Sequence, residues 1–193
     1  MELVFASANE NKVAEVEHKM GGTFKLKSLT SIGCNEEIPE TGATLEENAQ
    51  IKARYVWEKY RINCFADDTG LEVNALQGAP GVFSARYAGP QRNSNDNMDL
   101  LLQNLAGNDN RAAQFRTVIC LILQGQEFIF EGIVHGEIIA ERKGSDGFGY
   151  DPIFQPEGRK KTFAEMTMDE KNTLSHRGKA IAKLADFLKS SGR

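Results

Sequence analysis

Three short stretches hold the residues best suited to chemistry. "CFADDTGLEV" (64–73) ends an apolar run on Asp67 and Asp68 just before a glycine, and "EEIPETGATLEENA" (36–49) adds Glu40 outside any helix. Magnesium prefers a few carboxylate oxygens completed by phosphate oxygens and water, and Glu40 with Asp68 is a sparse set of that kind. Successive strand side chains face opposite ways, so of Asp67 and Asp68 one would touch an ion and the other support it. Taken alone, "ADDTG" is better explained by an Asx turn, and Glu40 by a solvated loop carboxylate.

The third stretch is "SANENK" (7–12), between an apolar run and a helical pattern. Free N–H groups at a helix start attract anions, and Lys12 adds a charge one turn in. The chain contains no GxxxxGK[ST] loop, and a plain polar turn with a solvated lysine accounts for this segment in isolation. "GSDGFGYDP" places Phe148 and Tyr150 between glycines, where a ring could lie on a flat ligand, and supplies Asp151 as an acceptor. "EKNTLSHRGKA" gathers Lys171, Ser175, His176, Arg177 and Lys179 at what reads as a helix entrance. Cations there oppose the helix macrodipole, so the cluster is either a solvated basic face or a donor-rich wall for an anion or a carbonyl-bearing base.

These segments need a scaffold. "ELVFA" reads as a strand, and "NKVAEVEHKM" as a helix with Val13, Val16 and Met20 on one face. "TFKLKSL" is a second strand. "TLEENAQIKARYVWEKY" is the clearest helix: Thr44 and Glu47 form a capping box, and Leu45, Ala49, Lys52, Val56 and Tyr60 share a face. "CFADDTGLEVNAL" reads as strand, turn and strand, "GAPGVFSARYAGP" as a loop, and "NDNMDLLLQNL" as a helix. "AAQFRTVICLILQ" and "EFIFEGIVHGEII" form a hairpin through Gly125, and "HRGKAIAKLADFLKS" closes the chain as a helix with Ile181, Leu184, Ala185 and Leu188 inward. Strands alternating with helices around a hairpin predict an α/β protein. Its mixed central sheet is flanked by helices in a single domain, residues 1–193, of two lobes with a substrate cleft between them.

Composition narrows the function. The 193 residues suffice for a real core, and a net charge of −4 argues against binding duplexes by phosphate neutralisation. Cys34, Cys64 and Cys120 are odd in number and far apart, and the three histidines are equally scattered, so neither a zinc site nor a disulfide framework is expected. Cys64 and Cys120 read as buried small hydrophobes. No basic leader precedes an apolar stretch, and none approaches the ~20 residues needed to cross a bilayer. The chain reads as a cytoplasmic protein acting on a small molecule, with neither nucleic acid nor membrane as partner.

Together, "SANENK", "ETGATLEENAQIKARY", "ADDTGLEV", "GAPGVFSARYAG", "GFGYDPIF" and "EKNTLSHRGKA" stand in an order that resembles the inosine/xanthosine triphosphate pyrophosphatase family. Ser7 stands where threonine is also usual and Thr69 where serine is commoner, and both keep a hydroxyl. The resemblance implies hydrolysis of noncanonical purine nucleoside triphosphates (ITP, dITP, XTP) to the monophosphate and pyrophosphate, with Mg2+, by a homodimer. An elongated α/β fold with a central sheet and a substrate cleft between two lobes is implied as well. It implies that Ser7, Ala8, Asn9, Glu10, Asn11 and Lys12 hold the triphosphate and that Glu40 and Asp68 bind metal, with Asp68 also the catalytic base. Thr69, Phe148, Gly149, Tyr150, Asp151, Lys171, His176 and Arg177 would contact substrate. Two alternatives stand beside it: a pyrophosphatase for pyrimidine or modified nucleotides, and a non-catalytic nucleotide- or RNA-binding module.

Overall fold

The structure is a computed structural model that describes residues 2–8, 13, 16–17, 19–20 and 24–191. Its strands are β1 (Glu2–Phe5), β2 (Lys25–Lys27), β3 (Cys64–Val73), β4 (Ala112–Leu123), β5 (Gln126–Ile138) and β6 (Phe154–Pro156). Its longer helices are α1 (Leu45–Tyr60), α2 (Ser94–Asn104), α3 (Met168–Leu174) and α4 (His176–Ser191). The strands form one six-stranded sheet in the order β2–β1–β3–β4–β5–β6. β1 runs parallel to β2 and β3, whereas β5 and β6 are antiparallel, so the sheet is mixed as expected. Among the described residues, no helix is long and apolar enough to cross a membrane.

The chain divides into two compact units, one of residues 1–68, 117–132 and 177–193, the other of 69–116 and 133–176. In the first, Val13, Val16 and Met20 are buried at the helical spacing anticipated, in a core with Leu3, Phe5, Phe65 and Leu121. Phe5 and Phe65 stack with ring centroids 4.7 Å apart. Ile181, Leu184, Ala185 and Leu188 of α4 complete that core, as the sequence pattern predicts. β4 and β5 meet at Gln124 and Gly125, both at positive φ (53° and 83°), the geometry of a two-residue hairpin turn. In the second unit, Leu71, Leu101, Phe115, Ile153, Phe154 and Phe163 form the centre, with Phe115 edge-on to Phe154 at 4.7 Å.

Three local expectations change. "CFADDTGLEV" is one unbroken ten-residue strand, with no turn at Thr69–Gly70. Asp67 and Asp68 are matched by cations brought from elsewhere in the chain, so the backbone need not fold back to satisfy them in an Asx turn. "GVFSAR" is a 3-10 helix, Gly81–Arg86, where an open loop is predicted. The basic "EKNTLSHRGKA" spans two helices, so Lys171 lies in the last turn of α3, where the dipole favours a cation.

Candidate active site

The carboxylate end of the site is built on the start of α1. Thr44 caps the helix, its hydroxyl accepting from Glu47 N at 3.1 Å, while Glu47 reaches back to Ala43 N at 2.6 Å. The return bond thus falls one residue before the cap, a small departure from the capping box predicted. Asn48 Oδ1 accepts from Gly42 N at 2.8 Å and ties the preceding loop to the same helix face. Lys52 follows one turn later and donates to Glu40 Oε1 at 2.5 Å. Its ammonium also stands 3.6 Å from Asp68 Oδ1, with only 12% of its side chain exposed.

This arrangement sets the protonation of the cluster. Burial pushes the Asp68 carboxyl above the ordinary value of 3.8. Lys52 opposes that shift, while the Glu40 and Asp67 charges reinforce it. Desolvation pulls Lys52 down, but the charges of Asp68 and Asp67 and the bond to Glu40 outweigh it and raise its pKa. Lys52 is therefore held as a cation between carboxylates. Asp68 Oδ2 and Asn48 Nδ2 are both buried without a hydrogen-bond partner among the described residues, and the nearby Asn48 side chain works against the rise in the Asp68 pKa. Glu40 and Asp68 are the two carboxylates here that could share a hard cation. No group of three or more His, Cys, Asp or Glu side chains converges among the described residues.

Asp67 takes a separate partner. It is buried, and its Oδ2 accepts from Arg177 Nε at 3.1 Å in the first turn of α4. The two neighbouring carboxylates of β3 thus meet different cations, Arg177 and Lys52.

In the second unit, "GFGYD" forms a tight knot. Asp151, 4% exposed, accepts from Phe148 N at 2.9 Å through Oδ2 and also from Lys171 Nζ. Gly147 lies at φ +82°, and a Cβ there would stand 2.2 Å from Asp151 Oδ2, so the close approach requires glycine. Phe148 is 70% exposed, and its ring centroid lies 4.7 Å from Lys171 Nζ. Tyr150 corrects the expectation of two available rings. It is buried after Gly149, its hydroxyl donates to Ser84 O at 2.8 Å, and desolvation raises its pKa. His176 is also packed inward, stacked on Phe115 at 5.0 Å.

Ser7 is half-buried, its carbonyl accepting from Leu29 N at 3.0 Å, and Ala8 is exposed. Thr69 is half-buried on β3. Asn9, Glu10, Asn11 and Lys12 lie outside the described residues. Cys64 and Cys120 are fully buried thiols pushed up to about 12 by desolvation, in keeping with inert hydrophobes. Sequence reading missed Lys52 as a site residue. The signal was available: a lysine on the apolar face of α1 needs a buried anion.

Comparison with known proteins places this geometry in context. The sequence model of the Ham1 family matches residues 3–187. A dITP/XTP pyrophosphatase of Flavobacterium psychrophilum is 56% identical over 190 residues, covering 98% of this chain and all of the relative. One from Porphyromonas gingivalis is 50% identical, covering 96% of each chain. The solved Ham1 protein of Staphylococcus aureus superimposes with a TM-score of 0.94 at 36% identity, over 99% of this chain and 100% of that one. A HAM1 protein from Coxiella burnetii gives 0.93 at 39% identity, over 98% and 99%.

Proposed function

The chain belongs to the Ham1 family, and on that premise we propose that it hydrolyses the noncanonical purine nucleoside triphosphates ITP, dITP and XTP to the monophosphate and pyrophosphate. The observation that carries this reading is the partly buried cluster of Glu40, Lys52 and Asp68. An anionic pair around a retained cation suits a polyphosphate chain and its counter-ion, and has little use in a passive surface.

The carboxylate pair fits magnesium on one specific ground: Asp68 Oδ2 is a buried anionic atom with no donor among the described residues. Glu40 and Asp68 would hold the ion, which would neutralise charge developing on the phosphates. Asp68, with its raised pKa, is a stronger base than a solvated aspartate and suits acceptance of a proton from the attacking water. Lys52 keeps that carboxylate from rising further and carries a positive charge for the triphosphate. Ser7 to Lys12 are assigned to the triphosphate by family resemblance.

Base choice follows from donors. Hypoxanthine and xanthine carry a carbonyl at C6 where adenine carries an amino group. A donor such as Arg177 or Lys171 facing that carbonyl would meet adenine donor against donor. An unsatisfied buried pair costs about 1–3 kcal/mol, and roughly 1.4 kcal/mol is tenfold, so two contacts discriminate better than one. Asp151 orients the Lys171 ammonium, and the exposed Phe148 ring offers a stacking face to any purine. By family resemblance Thr69, Gly149, Tyr150 and His176 are assigned to substrate contact, although Tyr150 and His176 are buried. Homodimeric assembly in the cytoplasm belongs to the same proposal and rests on the family resemblance.

The test is a panel of ITP, dITP, XTP, GTP, ATP, dUTP and dTTP with magnesium, scored for pyrophosphate against orthophosphate. Pyrophosphate from the first three above the others is expected. Orthophosphate release, or nucleotide binding without turnover, would overturn the reading.

A further inference from the structure

Asp67 and Arg177 are 110 residues apart in sequence, yet joined at 3.1 Å by Nε and Oδ2, with 5% and 17% of their side chains exposed. A buried ion pair of this kind contributes little net stability, because desolvation of two charges offsets their attraction. Its physical consequence is orientation. Arginine presents its N–H donors in a rigid planar fork. Fixing Nε on a carboxylate held by a β-strand fixes the plane and direction of both η nitrogens, which make no other hydrogen bond among the described residues. The pairing also offsets the penalty of a cation in the first turn of α4, where the helix dipole is repulsive.

We propose that Asp67 is a positioning residue for base discrimination: it aims the Arg177 guanidinium so that its η N–H groups meet a purine 6-carbonyl. The inference rests on the function proposed above, and it assigns to the first aspartate of the "DD" pair a task distinct from that of Asp68. Asp68 serves the phosphate end through Lys52 and Glu40; Asp67 serves the base end through Arg177. Because both sit on successive positions of one strand, the register of β3 sets the two ends together.

The experiment compares kcat/KM for ITP and for ATP in the wild type, Asp67→Ala, Asp67→Asn, Arg177→Ala and the double variant Asp67→Ala with Arg177→Ala. Asp67→Ala is expected to lower the ITP-over-ATP preference by about tenfold, the scale of one lost hydrogen-bond contact. Asp67→Asn, which keeps an acceptor oxygen for Nε, is expected to restore most of it. In the Arg177→Ala background, Asp67→Ala should change the preference no further. Equal losses on ITP and ATP, or additive losses in the double variant, would overturn the assignment, because a merely structural residue lowers both substrates together. If Asp67→Ala does not fold, the preference of Asp67→Ser and calorimetric binding of IMP against AMP give the same decision. A wild type that releases no pyrophosphate from ITP refutes the proposed function itself, a result separable from failure of the positioning role.

Discussion

Lys52 and Asp68 face each other across 3.6 Å in a largely buried setting, while the same ammonium donates to Glu40 at 2.5 Å. One cation therefore holds two carboxylates that would otherwise repel each other. Replacing it with a neutral side chain of similar length leaves those charges in place without their counterpart.

Lys52→Met is accordingly expected to lower kcat/KM for ITP by about a hundredfold or more, the scale seen when a preorganised charge is removed from a site. It also shifts the pH profile in a defined direction. Lys52 lowers the Asp68 pKa, so its loss raises that pKa and moves the acid limb of activity to higher pH. An unchanged acid limb would contradict the coupling.

Asp68→Asn is expected to reduce turnover of ITP by about a thousandfold, since metal binding and base function fall together. Stability supplies an independent check. The folded-state pKa of Asp68 lies above the ordinary 3.8, so between those values the folded state binds more protons than the unfolded one. Stability then falls as pH rises through that window. Thermal unfolding of both proteins should show the wild-type Tm declining relative to Asp68→Asn from about pH 3.8 upward.

Magnesium removal gives a direct prediction. Excess chelator should abolish pyrophosphate release from ITP, and added magnesium should restore it. Glu40→Gln should raise the magnesium concentration giving half-maximal rate by about tenfold or more, as expected for one lost carboxylate ligand. Full turnover with excess chelator would remove the metal from the mechanism.

At Gly147, a methyl group would strike Asp151 Oδ2 in a backbone conformation that side chains rarely adopt. Gly147→Ala is expected to cost about 1–3 kcal/mol of stability and to raise KM for ITP, by pushing Asp151 off Lys171 and the Phe148 amide. Calorimetry and steady-state kinetics on the same sample would check both effects.

Thr44→Ala isolates the helix cap from the chemistry. Loss of the hydroxyl acceptor for Glu47 N should cost about 1 kcal/mol and shift Tm by roughly 2–4 °C. kcat/KM for ITP should stay within about twofold of wild type, since Thr44 only starts the helix on which Lys52 rides.

Much of the frame was legible because helices and strands write their periods into neighbouring residues. The spacing of Leu45, Ala49 and Val56 announced the buried face of α1, and Ile181, Leu184 and Leu188 that of α4. Gly125 announced the hairpin. The carboxylates Glu40 and Asp68 stood out because neither has a helical reason for its place, and Lys171 and Asp151 were both visible as candidates before they proved to be partners.

The amino-acid order by itself determined the element types, the apolar faces and the inventory of charged groups, since each depends on residues within a turn or two. Only the tertiary structure decided that β3 runs straight through its two aspartates, that Lys52 belongs to the site, that Tyr150 turns inward and that Asp67 closes on Arg177. A buried charge or hydroxyl takes whichever partner folding brings within about 3 Å. That choice is made through space, where separation along the chain carries no information.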